Sequence, residues 1–207
     1  MNQIVIVCCL LSVGCVSLEY ASRQRQSLIH SRMLKELELQ AGKHIYSGYT
    51  QDGQLGGYIT KGDIHLAKNK YNLAILAYQK ALELDPQNLH ILNNLGNAYS
   101  GQGKYDLAIS SYQKALKLDP QNVYALNNLG DIYLGQGKYD LAISSYQKAL
   151  KLDPQNVYAL NNLGALYYIQ EKYNLAISMY KKALKLNPRN VYALRGLKRI
   201  RVSQSNQ

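Results

Sequence analysis

Residues 101–130 read GQGKYDLAISSYQKALKLDPQNVYALNNLG, and residues 135–164 repeat the same letters at every position. The offset is 34 residues, and it extends in both directions: 89–122, 123–156 and 157–190 are full copies in one register, 55–88 is a copy with a weaker first half, and a further copy starts at 191 and stops. A fixed period of this length marks a solenoid, in which each unit buries its apolar face on the next.

The pattern inside each unit states how it folds. Position 8 holds Gly62, Gly96, Gly130 and Gly164 inside a helical pattern, where glycine costs about 1 kcal/mol against alanine. The use that offsets this cost is close approach of a second helix. Positions 20 and 27 are always Ala (Ala74, Ala108, Ala142, Ala176 and Ala81, Ala115, Ala149, Ala183), and position 24 is always Tyr (Tyr78, Tyr112, Tyr146, Tyr180). Large and small residues therefore interlock. All four prolines, Pro86, Pro120, Pro154 and Pro188, fall at position 32. Proline cannot continue the preceding helix and restricts the residue before it, so each one separates a hairpin from the next. Gly103 and Gly137 suit the turn after the first helix, and Glu171 stands there in the third full unit.

In these positions the sequence resembles the tetratricopeptide-repeat family over residues 55–190. The resemblance implies an all-α fold, a right-handed superhelix of about four helical hairpins with a C-terminal capping helix. It departs from the family at position 4, where Leu92, Leu126 and Leu160 replace a larger residue, and in the first unit, where Lys61 and His65 replace Leu and Tyr. The expected organisation is a hydrophobic anchor or signal at 1–21, an amphipathic helix and flexible linker at 22–54, units at 55–88, 89–122, 123–156 and 157–190, and a basic capping helix and tail at 191–207. In the cap, Leu194 and Leu197 are expected to face inward and Arg195, Lys198, Arg199 and Arg201 outward.

The N-terminal hydrophobic helix is read from Ile4 to Leu18, an uncharged run that spans about 22 Å as a helix, short of a bilayer core of about 30 Å. Three readings fit it: an anchor that relies on its flanks, a cleaved or lipid-modified signal ending near Cys15, and a buried soluble segment. No Lys or Arg precedes the run, whereas Arg23, Arg25, Arg32 and Lys35 follow it. Positive flanks stay on the cytoplasmic side, which favours an uncleaved anchor with the body in the cytoplasm or plastid stroma over export. Residues 22–40 place Ile29, Met33 and Leu37 at i, i+4, i+8, and 41–57 hold five glycines, read as a flexible connection. The three cysteines, Cys8, Cys9 and Cys15, all lie in the apolar run, so the repeats carry neither a disulfide framework nor a zinc spacing.

Net charge is +11 and uneven: residues 189–207 carry five basic residues and no acid. That segment reads as a solvating cap or as a meeting point for an acidic partner, anionic lipid or nucleic acid. There is no Phe or Trp, but there are 19 Tyr, so tyrosine fills the large aromatic positions. His30, His44, His65 and His90 have no nucleophile or carboxylate at useful spacing, and there is no phosphate loop, so no catalytic, cofactor or metal residue is expected. No nucleic-acid motif accompanies the basic tail.

In the family, first helices line a concave groove that takes an extended peptide or a partner helix. Carried over by position, the resemblance assigns the groove to His90, Asn93 and Asn97, then Tyr124, Asn127 and Asp131, then Tyr158, Asn161 and Tyr168, and in the cap Tyr192, Arg195 and Arg199. Tyrosine offers contact area with a hydrogen-bonding tip at low entropic cost. The family variant that grips acidic chaperone tails uses asparagines and basic residues. Asn97 and Asn128 match its asparagines, but Asn93, Tyr158 and Asn162 stand at its basic positions, so a chaperone carboxylate clamp is not expected.

The layout is also similar to the thylakoid-anchored tetratricopeptide proteins of cyanobacteria and algal plastids that assist photosystem I assembly: a short apolar anchor, a basic helix, then a small array opening YITKGDIHLAKNKY at 58–71. This likeness implies a membrane-anchored scaffold for photosystem I subunits on the cytoplasmic or stromal face of the thylakoid. The alternative is an exported or lipid-anchored bacterial adaptor at the cell envelope.

Overall fold

The tetrads at 85–88, 119–122 and 153–156 (Asp-Pro-Gln-Asn) and at 187–190 (Asn-Pro-Arg-Asn) each close one helix and open the next. The first side chain folds onto its own backbone: Gln121 N donates to Asp119 Oδ1 at 2.9 Å, Gln155 N to Asp153 Oδ1 at 3.1 Å and Arg189 N to Asn187 Oδ1 at 3.1 Å. The last side chain then caps the coming helix, with Ile91 N, Ala125 N, Ala159 N and Ala193 N donating to Asn88, Asn122, Asn156 and Asn190 at 2.9–3.2 Å. Asparagine is a preferred N-cap because it satisfies a backbone donor that has no partner inside the helix.

The computed structural model describes residues 51–205. Among them all regular structure is helical: α1 Gln51–Ala67, α2 Tyr71–Leu84, α3 Leu89–Gly101, α4 Tyr105–Leu118, α5 Val123–Gly135, α6 Tyr139–Leu152, α7 Val157–Ile169, α8 Tyr173–Leu186 and α9 Val191–Ser205. The expected anchor at 1–21 and amphipathic helix at 22–40 lie outside the described residues. No described helix is long and apolar enough to cross a membrane.

The chain divides after Leu84 into two compact units. In the first, α1 and α2 form one hairpin. Residues 51–57, expected as the end of a flexible linker, are instead the opening turns of α1. Helical order holds there despite the glycines: Gly53 and Thr60 are buried, and Thr60 Oγ1 donates back to Gly56 O at 2.8 Å.

In the second unit α3/α4, α5/α6 and α7/α8 are hairpins stacked in order, and α9 packs on α7 and α8. The interlock read from the sequence is the packing device in both units. An alanine Cβ at Gly96, Gly130 or Gly164 would fall 2.6 Å from a ring carbon of Tyr112, Tyr146 or Tyr180, and at Gly62 it would strike Tyr78. Carbon atoms rest at about 3.5–4.0 Å, so no residue with a Cβ fits. The rings of Tyr78, Tyr112 and Tyr146 are fully buried, worth about 1.5–3 kcal/mol each, which exceeds the helix cost of the facing glycine. Ala74, Ala81, Ala108, Ala115, Ala142, Ala149, Ala176 and Ala183 are fully buried beside them.

The turn inside each hairpin needs one left-handed residue. Gly103 (φ 74°) and Gly137 (φ 70°) supply it without strain, and Asn69 (φ 56°) and Glu171 (φ 58°) adopt it at a cost of about 1–2 kcal/mol. The cap corrects one expectation. Ala193, Gly196 and Ile200 are its buried residues, and Leu197 is partly buried, but Leu194 is half exposed. Among the described residues this helix packs on α7 and α8, and its i, i+3, i+7 stripe turns toward them.

Candidate functional site

Position 9 of the first helix builds the polar centre of a repeat where it is Asp or Asn. In the second unit Tyr112, buried against Gly96, donates its hydroxyl to Asn97 Oδ1 at 2.6 Å, and Asn97 Nδ2 donates to the hydroxyl of Tyr124 in the next repeat. One repeat on, Tyr146 donates to Asp131 Oδ1 at 2.5 Å and Tyr158 donates to Asp131 Oδ2 at 2.6 Å, with Asn162 Nδ2 at 3.4 Å from Oδ1. Asn97 and Asp131 thus hold equivalent places, joining their own hairpin to the first helix of the following one. The first unit repeats the inner half of this arrangement, Tyr78 donating to Asp63 Oδ1 at 2.6 Å.

Electrostatics follow from burial. Loss of solvent holds the Asp131 carboxyl above the ordinary range, with the donated bonds from Tyr146 and Tyr158 pulling it part of the way back. Burial, then Asp131, pushes the Tyr158 hydroxyl up to about 12, and burial raises Tyr112 and Tyr146 further still. All of these hydroxyls stay protonated and donating near neutrality.

Around these centres the expected groove residues are arranged as follows. Asn93, Asn127 and Asn161, at position 5, each carry a buried side-chain oxygen with no hydrogen-bond partner among the described residues. Tyr124 and Tyr158 are about half exposed, and Tyr192 is 76% exposed. His90 is exposed, with its Nε2 at 3.1 Å from Asn94 Nδ2, and Asn94 Oδ1 accepts in turn from Asn97 Nδ2 at 3.3 Å. Tyr168 shares a 3.0 Å hydrogen bond with Ser203 and packs on Tyr173.

The third repeat breaks the pattern. Position 9 is Ala165, so the hydroxyl of Tyr180 has no counterpart of Asn97 or Asp131 to accept from it, and position 6 of the cap is Gly196 where Asn128 and Asn162 stand earlier. The Tyr180 ring fills the place that a Cβ at Gly196 would take, and beside Ala165 lies a cavity of about 420 Å³ between α7 and α9, walled by Tyr168, Tyr180, Tyr192, Arg195 and Arg199. The structure therefore brings Asn161, Tyr168, Tyr192, Arg195 and Arg199 together. His90 lies apart from them on α3, the opening helix of the unit. Reading the groove from the sequence missed the inner tyrosines as donors to its floor. Spacing gave no signal for this role, because position 24 is Tyr in every unit, including Tyr180 opposite Ala165. Among the described residues no cluster of metal-ligating side chains occurs.

Three tetratricopeptide-repeat family models match overlapping stretches, 62–103, 93–157 and 157–190, which together cover more than half of the chain. Among solved structures, the first TPR of Spaghetti (RPAP3), bound to the HSP90 peptide SRMEEVD, is 31% identical; the match covers 58% of this chain and 96% of that one, with a TM-score of 0.55. MamA is 28% identical over 73% of this chain and 83% of its own, with a TM-score of 0.66. PilF of Pseudomonas aeruginosa is 25% identical over 75% and 71%, with a TM-score of 0.67. No curated protein matches the sequence. With the hairpins and their glycine–tyrosine interlock, these matches show that the chain belongs to the tetratricopeptide-repeat family.

Proposed function

We propose that the chain is a protein-interaction scaffold that binds an extended segment of a partner along the face of its first helices. The observation that carries this reading is the row of position-5 amides. Asn93, Asn127 and Asn161 recur every 34 residues on the first helices, each partly exposed, so they form a periodic row of amides. An extended peptide offers backbone donors and acceptors at regular spacing. The similar RPAP3 repeat is itself bound to a peptide.

We further propose that residues 4–21 anchor the chain in a membrane, with the repeats on the cytoplasmic or stromal side, and that its clients are photosystem I subunits. The charge asymmetry around the apolar run supports the first proposal, and the likeness of layout to the thylakoid-anchored proteins supports the second. The test is cross-linking of the tagged chain in its native membranes, with the cross-linked peptides identified by mass spectrometry. Photosystem I subunits joined to first-helix residues within 89–202 are expected. Envelope proteins in their place would overturn the client and leave the scaffold. Protease applied to right-side-out membranes is expected to spare the repeats; digestion would overturn the topology.

A further inference from the structure

The preceding repeats show what the cavity between α7 and α9 lacks. Where Asp131 ties Tyr146 to Tyr158, Ala165 has no side chain that can join Tyr180 to Tyr192. Tyr192 is accordingly left 76% exposed. A polar acceptor supplied from outside would complete the arrangement that Asp131 completes from within.

The charge around the cavity selects the acceptor. Arg195 and Arg199 are four residues apart on α9, so they project from one face, and both line the cavity. Neither guanidinium has an acidic partner among the described residues, and no Asp or Glu follows Glu171 in the sequence. Two guanidinium groups beside tyrosine hydroxyls form a donor set matched to a carboxylate, which guanidinium binds in a planar, two-bonded geometry. The middle of the same face carries Asp131 and no cation, so an acidic ligand gains at this end and loses at the centre.

We infer that the cavity between α7 and α9 is a subsite for an acidic side chain of the bound partner segment, its carboxylate held by Arg195 and Arg199 and meeting the hydroxyls of Tyr180 and Tyr192. The inference rests on the peptide-binding reading above. The volume, about 420 Å³, lies within the range of ligand pockets, roughly 300–1,000 Å³, and admits a short stretch of peptide together with the acidic side chain. The flanking surface favours a peptide over an inorganic anion or a nucleic acid. Ile169 supplies exposed apolar area, and Asn161 continues the row of amides that runs from Asn93.

The test uses the 207-residue chain and two labelled extended peptides of alternating Ala and Glu or Ala and Gln, followed by fluorescence anisotropy. The glutamate peptide is expected to bind more tightly than the glutamine peptide by about tenfold or more, the increment of a charged hydrogen-bonded contact. That preference is expected to vanish in Arg195→Ala/Arg199→Ala. It is also expected to vanish in Ala165→Asn, which rebuilds the Asn97 arrangement of an earlier repeat and so supplies from within the acceptor that the ligand would bring. Asn127→Ala is expected to weaken both peptides alike. Equal binding of the two peptides that still depends on Asn127 overturns the subsite and keeps the groove; binding of neither, or binding indifferent to Asn127, overturns the groove reading and the subsite with it. A preference that survives Ala165→Asn and the arginine replacements places the acid elsewhere and overturns the inference. Displacement of the glutamate peptide by inorganic phosphate, single-stranded RNA or phosphatidylglycerol vesicles at lower concentration than by unlabelled peptide overturns the peptide as the occupant.

Discussion

Replacing Gly130 by alanine tests the packing device at the centre of the second unit. The new Cβ would stand 2.6 Å from both Cε1 and Cζ of Tyr146, so the ring must move by about 1 Å to reach a normal carbon contact. The ring has little room for this, because Tyr146 is fully buried and its hydroxyl is tied to Asp131 at 2.5 Å. Overpacking of this kind costs about 1–3 kcal/mol, and loss of the hydrogen bond to a carboxylate adds about 1.5–3 kcal/mol if the ring swings away. The gain in helix propensity returns about 1 kcal/mol. The expected net loss is about 1–4 kcal/mol, a fall in Tm of several degrees at about 2–4 °C per kcal/mol for a chain of this size. The assay is thermal unfolding followed by helical circular dichroism, with Gly135→Ala as control. A Cβ at Gly135 meets nothing within 4 Å, so that variant should be unchanged or slightly stabilised. Amide exchange should quicken first in α5 and α6, since each repeat is held by its neighbours. If Gly130→Ala matches Gly135→Ala, the close-approach explanation of the position-8 glycines is refuted.

Other predictions follow from single residues. Glu171→Gly relieves a left-handed backbone at φ 58° and is expected to stabilise by about 1 kcal/mol; an unchanged or lowered midpoint in denaturant would contradict the strain. Asn156→Ala removes the cap on Ala159 N and is expected to cost about 1 kcal/mol by the same measurement. Burial raises the folded pKa of Asp131 above its unfolded value of 3.8, so its favourable contribution is present in acid and is lost as pH rises through the folded pKa. The Tm of Asp131→Asn should therefore gain on that of the wild type between about pH 3 and about pH 7, and a constant or shrinking difference would refute the assignment. Tyr158, raised from 10.0 to about 12, stabilises fully below pH 10.0 and loses that contribution above it. In a phenolate absorbance titration it belongs to a late fraction, absent from Tyr158→Phe; titration of every tyrosine near the ordinary value would contradict this.

The repeats were legible because their constraints are local and periodic. Gly130 against Tyr146, Pro154 after Asp153 and the alanines at positions 20 and 27 each encode their contact at a fixed spacing, and the register follows from the identity of 101–130 with 135–164. Periodicity fails at the ends. Glycines at 53, 56 and 57 argued for a linker, yet residues 51–57 are helical, because the burial of Gly53 and Thr60 outweighs propensity. Leu194 was expected inside because earlier units bury their leucines, but among the described residues α9 packs on α7 and α8 and that side stays half exposed. The groove was legible only in part. Position and resemblance placed Asn97 and Asp131 on the first-helix face, but their bonds to Tyr112 and Tyr146, fifteen residues downstream, come from the hairpin fold. The cavity is walled by residues of α7 and α9, among them Ala165 and Arg195, which lie 30 residues apart and meet only in three dimensions.

The most direct test of the scaffold reading is site-specific photocross-linking in the native cell, comparing Tyr124 and Tyr158 on the first-helix face with Leu107 and Leu141, which are equally exposed on the second helices. The scaffold reading predicts one partner captured from both tyrosine sites, through neighbouring residues of a single extended segment, and lost on Asn127→Ala. Capture from Leu107 and Leu141 alone, or capture indifferent to Asn127, would contradict it.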